Sequence, residues 1–120
     1  VVYTGTHDND TTRGWLDSAS PEDLEFAMEY LGLEDLKEGN WAFIRAALSS
    51  VADLAIVPFQ DYLDLGSEAR INTPSTVGGT NWRWRMAKDC TTKKLAKKMA
   101  RLATIYGRAR ELGGNSHADA

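Results

Sequence analysis

Eight consecutive residues, Thr6, His7, Asp8, Asn9, Asp10, Thr11, Thr12 and Arg13, gather two carboxylates, an imidazole, an amide and a guanidinium. Three readings suit such a set. His and Asp are both metal ligands, but no second His or Cys stands at the helical or hairpin spacing of a metal site. A capped turn is the second reading, in which Asp and Asn side chains bond nearby backbone N–H groups. The third is stabilisation of developing positive charge. Breaking a glycosidic bond passes through an oxocarbenium-like transition state; a fixed carboxylate that accepts from sugar hydroxyls strengthens as that charge appears, and a neighbouring His can donate to the same hydroxyls. That chemistry also needs a nucleophile and a general acid, about 5–5.5 Å apart in a retaining enzyme. Asp8 and Asp10 are too close within one turn to be that pair.

The cluster needs a strand to deliver it. Val1, Val2, Tyr3 and Thr4 are β-branched or aromatic and stop at Gly5, so a short strand is expected there. Leu54–Phe59 is a continuous apolar run, the mark of a strand buried on both faces, as in parallel sheets. Pro58 ends its ladder pairing, which leaves Gln60 and Asp61 just past the carboxyl end. In α/β folds the loops at the carboxyl ends of strands hold the active site, so the position of the cluster agrees with its composition.

Helices are predicted between and after the strands. Ser20, Pro21, Glu22 and Asp23 supply a capping hydroxyl, a first-turn proline and acids, and Leu24, Ala27, Met28 and Leu31 form a stripe that Gly32 ends. Asn40 is expected to cap a second helix whose Ile44, Ala47, Leu48 and Val51 line one side of Trp41–Val51. Gly66–Thr80 reads as an ordered loop, followed by the run Asn81, Trp82, Arg83, Trp84, Arg85. Thr92–Arg110 reads as the longest helix, with Leu95, Met99, Leu102 and Tyr106 on one stripe and the lysines largely off it. Residues 1–112 are expected to form the folded part and 113–120 a frayed, flexible tail.

At 120 residues, with 42% hydrophobic and 26% charged, the chain suits one compact domain and neither a disordered tail nor a repeat array. It has no apolar run long enough to span a bilayer and no secretory signal, so no membrane partner is expected. The single Cys90 fits a reducing compartment, and a cytoplasmic location is expected. The net charge of −3 hides a segregation: residues 1–69 hold three Lys/Arg and fourteen Asp/Glu, whereas residues 70–120 hold eleven and three. Two mutually attracting faces explain this better than a nucleic-acid surface, because the lysines sit at helical spacing like a solvated face. The element order is that of an α/β unit with parallel strands. Two parallel strands leave bare edges, so a larger barrel or open sheet is the natural context, and the isolated chain is expected to self-associate. The opening at Val1, without an initiator methionine, suggests a piece of something longer.

Val2–Thr12, VYTGTHDNDTT, resembles the fourth signature region of the 4-α-glucanotransferases called amylomaltases or disproportionating enzymes, a retaining α-glucan family of the α-amylase clan. Ile44–Gly66, IRAALSSVADLAIVPFQDYLDLG, resembles that family's last barrel strand with its flanking helix and turn, and SEARINTP and NWRWR within Ser67–Arg85 resemble the glucan-facing loop that follows. The resemblance implies the C-terminal βαβα portion of a (β/α)8 barrel that transfers α-1,4-glucan segments between maltooligosaccharides, with no metal or organic cofactor. It makes Asp8 the transition-state-stabilising carboxylate and His7 its sugar-binding partner. It puts Asn72 and Pro74 near the glucan, with Gln60, Arg70 and Trp82 as weaker candidates for support or binding; Trp82 and Trp84 serve either loop packing or sugar stacking. The family's nucleophile and general acid/base lie on earlier strands that this sequence does not contain, so the isolated chain is expected to be inactive. A non-catalytic α-glucan-binding or structural module is the alternative. Two departures bear on the loop: the family usually has glycine where this chain has Ser75, and a shorter connection than Val77–Thr80. If position 75 takes positive φ, its serine is strained.

Overall fold

The structure is a computed structural model and describes residues 1–110. The expected tail, 113–120, lies outside the described residues. Two compact units divide the chain, one running from Val1 to Cys90 and the other from Thr91 onward.

In the first unit, β1 (Val2–Tyr3) and β2 (Ala55–Ile56) pair in parallel, with Val2 opposite Ala55 and Tyr3 opposite Ile56. The parallel α/β pairing predicted from the sequence is therefore observed. Both strands are shorter than predicted, and β2 is not buried on both faces: Leu54 is 51% and Ile56 40% exposed. The physical reason is that β2 has a single strand neighbour among the described residues, and the backbone turns at Pro58, whose missing N–H cannot extend the ladder.

Helix α1 (Thr12–Ser18) was not predicted. It starts on Thr11, whose hydroxyl accepts from Gly14 N at 3.1 Å, a capping signal that Gly14 inside a seven-residue helix obscured. Helix α2 (Pro21–Leu31) has its predicted cap, with Asp23 N donating to Ser20 Oγ at 3.2 Å, and ends at Gly32 with φ 70°. Its stripe is only half-buried. Helix α3 (Gly39–Leu48) departs from expectation at both ends. Asn40 is not its cap; it lies in the first turn and is 2% exposed, its amide committed to a long-range bond. Val51 lies beyond the helix and is exposed.

Leu16 of α1 and Ile44, Ala47 and Leu48 of α3 are buried, where α1 packs on α3 and α3 on the short helix α4 (Phe59–Tyr62). Glycine at position 39 suits this packing, because a Cβ there would come within 2.6 Å of Leu16 Cδ1 and the leucine would have to shift. Trp41 and Tyr62 extend the contact with ring centroids 5.8 Å apart, and burial pushes the Tyr62 phenol pKa up. Ser67–Ala69 forms a single 3-10 turn within the predicted loop.

The second unit is built on α5 (Lys93–Ile105), capped by Thr92, whose hydroxyl accepts from Leu95 N at 3.1 Å. It stops before the predicted Arg110, since Gly107 takes φ 70°. Of its predicted stripe, Leu102 is buried and Leu95, Met99 and Tyr106 are half-buried. No helix among the described residues is long and apolar enough to cross a membrane.

Candidate active site

The Thr6–Arg13 cluster leaves the carboxyl end of β1, and the structure sorts its members by role. Asn9 Oδ1 accepts from Thr6 N at 2.7 Å and from Thr6 Oγ1 at 3.0 Å. That is the capped turn, and it presents His7 and Asp8 at its apex. Arg13 leaves the cluster: its guanidinium bonds Asp64 at 2.9 Å and the carbonyls of Leu36 and Lys37. Asp10 is held too, accepting from Thr11 N at 2.8 Å and Ser67 Oγ at 2.7 Å. A Cβ at Gly14 would collide with both Asp10 and Ser67, so glycine is what lets this link form beside α1.

Asp8 keeps an exposed carboxylate, with its side chain 49% accessible. Its Oδ1 accepts from Asn72 Nδ2 at 2.8 Å, and its Oδ2 lies 3.3 Å from His7 Nε2, an ion pair whenever the imidazole is protonated. The His7 ring also meets the indole of Trp82, centroids 5.2 Å apart and planes tilted by 35°. Two predicted residues from a loop more than sixty positions away thus close on the His7–Asp8 pair.

Arg70 makes that meeting rigid. Its Nη2 donates to Asp8 O at 2.7 Å and its Nε to Asn72 O at 2.9 Å, while Asn72 N donates to His7 O at 3.0 Å. Gln60 is buried, and its Nε2 donates to Ala69 O at 3.2 Å, next to Arg70. It supports the loop from below. Pro74 is exposed in the turn that Thr76 Oγ1 closes on Thr73 O at 2.6 Å. His7, Gln60, Arg70 and Trp84 line one open cleft of about 510 Å³ at this end of the sheet.

The loop carries strain. Ser75 takes φ 67° and Trp82 φ 63°, the left-handed region that side chains larger than glycine disfavour. Trp82 is held there by its N–H bond to Ile71 O at 2.6 Å and by the His7 ring. Ser75→Gly is expected to stabilise the protein by about 1 kcal/mol, read as a higher urea midpoint with an unchanged slope. An unchanged midpoint would refute strain at this position.

Sequence reasoning missed a buried carboxylate. Asp61, 2% exposed, accepts from Thr4 Oγ1 at 2.7 Å, Thr12 Oγ1 at 2.8 Å and Thr12 N at 2.9 Å. The available signal was its place, directly past the carboxyl end of an apolar strand. Among the described residues no three His, Cys, Asp or Glu side chains gather where they could hold a metal ion.

The chain is similar to known proteins over most of its length. The family model described as 4-alpha-glucanotransferase matches residues 1–91. A 4-alpha-glucanotransferase of Clostridium butyricum is 51% identical over 109 residues, covering 90% of this chain and 22% of that protein. A chloroplastic/amyloplastic 4-alpha-glucanotransferase of Arabidopsis thaliana is 47% identical over 111 residues, covering 90% and 19%. An amylomaltase from Streptococcus agalactiae, solved in complex with acarbose, superposes with a TM-score of 0.85 at 32% identity, over 92% of this chain and 22% of that one. The chain thus spans about a fifth of the length of the relatives it matches and shares the fold of the matching part of the amylomaltase. On the match to residues 1–91 and the identities of its relatives, this chain belongs to the 4-alpha-glucanotransferase family.

Proposed function

We propose that this chain, through residue 112, is the C-terminal βαβα portion of a (β/α)8 barrel, and that the whole protein transfers α-1,4-glucan segments between maltooligosaccharides with retention. The observation that carries the reading is the oriented Asp8 carboxylate. It stands past the end of a parallel strand, fixed by Asn72 on one oxygen and faced by His7 on the other, yet half-exposed.

A carboxylate so held needs no reorganisation as charge develops. Each oxygen has more than one lone-pair site, so Asp8 can accept from a sugar hydroxyl while keeping its bond to Asn72. That hydroxyl bond strengthens as the anomeric centre turns positive, which lowers the barrier selectively in the transition state. His7 is fixed against Trp82 and donates to the same sugar. Pro74 shapes the loop edge beside the glucan, and Trp84 in the cleft wall offers an apolar face to a ring.

Asp8 alone cannot form a glucosyl-enzyme. The nucleophile and the general acid/base come, in this reading, from other strands of the barrel, where they also cover the exposed faces of Tyr3, Leu54 and Ile56. Catalysis then requires no metal or organic cofactor, the reaction takes place in the cytoplasm, and nucleic acid and membrane play no part. With its sheet edges bare, the isolated chain self-associates.

The test is transfer itself. The whole protein is expected to convert maltotriose into glucose and longer maltooligosaccharides, and the isolated 120-residue chain to release no glucose. Glucose released by the isolated chain would refute the placement of the nucleophile elsewhere. Binding of maltoheptaose by the whole protein without any transfer would favour a non-catalytic glucan-binding module.

A further inference from the structure

We propose that Asp61 is a positioning residue for the Asp8 carboxylate, acting by clamping both ends of the loop that carries His7 and Asp8. The proposal rests on the reading of Asp8 given above. Thr4 is the residue that leaves β1 and Thr12 the first residue of α1, and both donate to the one buried Asp61 carboxylate, from 57 and 49 positions away. The chain between them, Gly5–Thr11, is the loop that presents the site.

A buried carboxylate is a poor filler of space. An apolar side chain of similar volume usually serves stability as well or better, because taking the charge out of water is costly. What the carboxylate supplies instead is geometry: three donors at 2.7–2.9 Å converge on it and fix the separation of the two loop ends. Asp61 is itself anchored, since its carbonyl accepts from the buried Asn40 amide at 2.8 Å and its N–H donates to Pro58 O at 3.0 Å.

The adjacent residue extends the device. Gln60 holds Ala69 O, immediately before Arg70, whose guanidinium bonds the carbonyls of Asp8 and Asn72. One turn, Gln60–Asp61, therefore registers both loops whose meeting point is the Asp8–Asn72 hydrogen bond. Asp61 borders the same cleft as His7 and Gln60, but its carboxylate is 2% exposed and taken up by three donors, so its effect on the site runs through that loop.

The experiment uses the whole protein with Thr4→Val, Thr4→Ser and Asp61→Asn, and follows maltotriose transfer, thermal unfolding and hydrogen exchange of the Asn72 backbone amide. Thr4→Val removes one donor without burying a new polar group. It is expected to lower kcat about tenfold with KM within about twofold, and to speed exchange at Asn72 about tenfold. Thr4→Ser, which restores the hydroxyl, is expected to return both to within about twofold of wild type. Asp61→Asn is expected to lower kcat about a hundredfold; if it fails to fold, the Thr4 pair decides. A Thr4→Val protein that unfolds at a lower temperature but keeps wild-type kcat and Asn72 exchange overturns the proposal. A wild-type protein without transfer activity refutes the catalytic reading of Asp8, and exchange at Asn72 then decides on Asp61 by itself.

Discussion

Asp8→Asn in the whole protein is expected to lower kcat for maltotriose transfer about 10²–10³-fold, the cost typical of removing a preorganised group that stabilises a developing charge. The substitution is nearly isosteric. The amide oxygen can still accept from Asn72 Nδ2, so the loop geometry built on that 2.8 Å bond survives. What disappears is the negative charge, and with it the part of the interaction that grows between bound substrate and transition state. The position is half-exposed, so folding stability should stay within about 0.5 kcal/mol of wild type. Steady-state kinetics with maltotriose, set beside a urea unfolding curve, separates the two effects. A rise in KM at unchanged kcat would mean that Asp8 binds glucan equally in ground and transition states, which would refute its assigned role.

Asp61→Ala is expected to lose stability as well as kcat, with a loss of about 3–5 kcal/mol in unfolding free energy, as when three donors lose one charged acceptor. Thr12 N and the hydroxyls of Thr4 and Thr12 all lose their acceptor, and Thr12 is buried where water cannot replace it. Such a loss is a large fraction of the ~5–15 kcal/mol that holds an ordinary domain together. Equilibrium denaturation with urea checks it, and a loss below about 1 kcal/mol would show that water enters and satisfies the three donors. The contrast between the two aspartates is informative. Asp8 is half-exposed and costs little to change structurally, while Asp61 is buried and costs much.

Local chemistry was legible wherever a residue acts on its neighbours. Ser20 caps α2, Pro21 starts it and Gly32 ends it, each through neighbouring residues, and the His7–Asp8 pair behind a β-rich run does lie just past a strand end. The conditional about Ser75 also held, since φ is a property of one residue and its peptide neighbours. Asn40 shows where such reading stops. Its composition suits an N-cap, but the amide is drawn instead to Asp61 O, a partner 21 positions away that no local pattern displays. The strand at Ala55–Ile56 fails for a related reason: an apolar run reports what a strand is suited to bury, not which neighbours are there to bury it.

By itself the sequence determined the parallel α/β character, the α2 boundaries and the His7–Asp8 cluster at a strand end, because periodicity, capping and strand-end position are written in short-range spacing; Asn72 and Arg70 were singled out only through the family resemblance. Tertiary structure alone decided that Asn72 grips Asp8, that Trp82 lies on His7, that Arg13 turns away to Asp64 and that Asp61 joins the two ends of the site loop. Those contacts span about 50–75 positions, and a bond between distant residues forms only when burial and packing have already brought their backbones together. The spacing of residues along a chain carries no record of that distance.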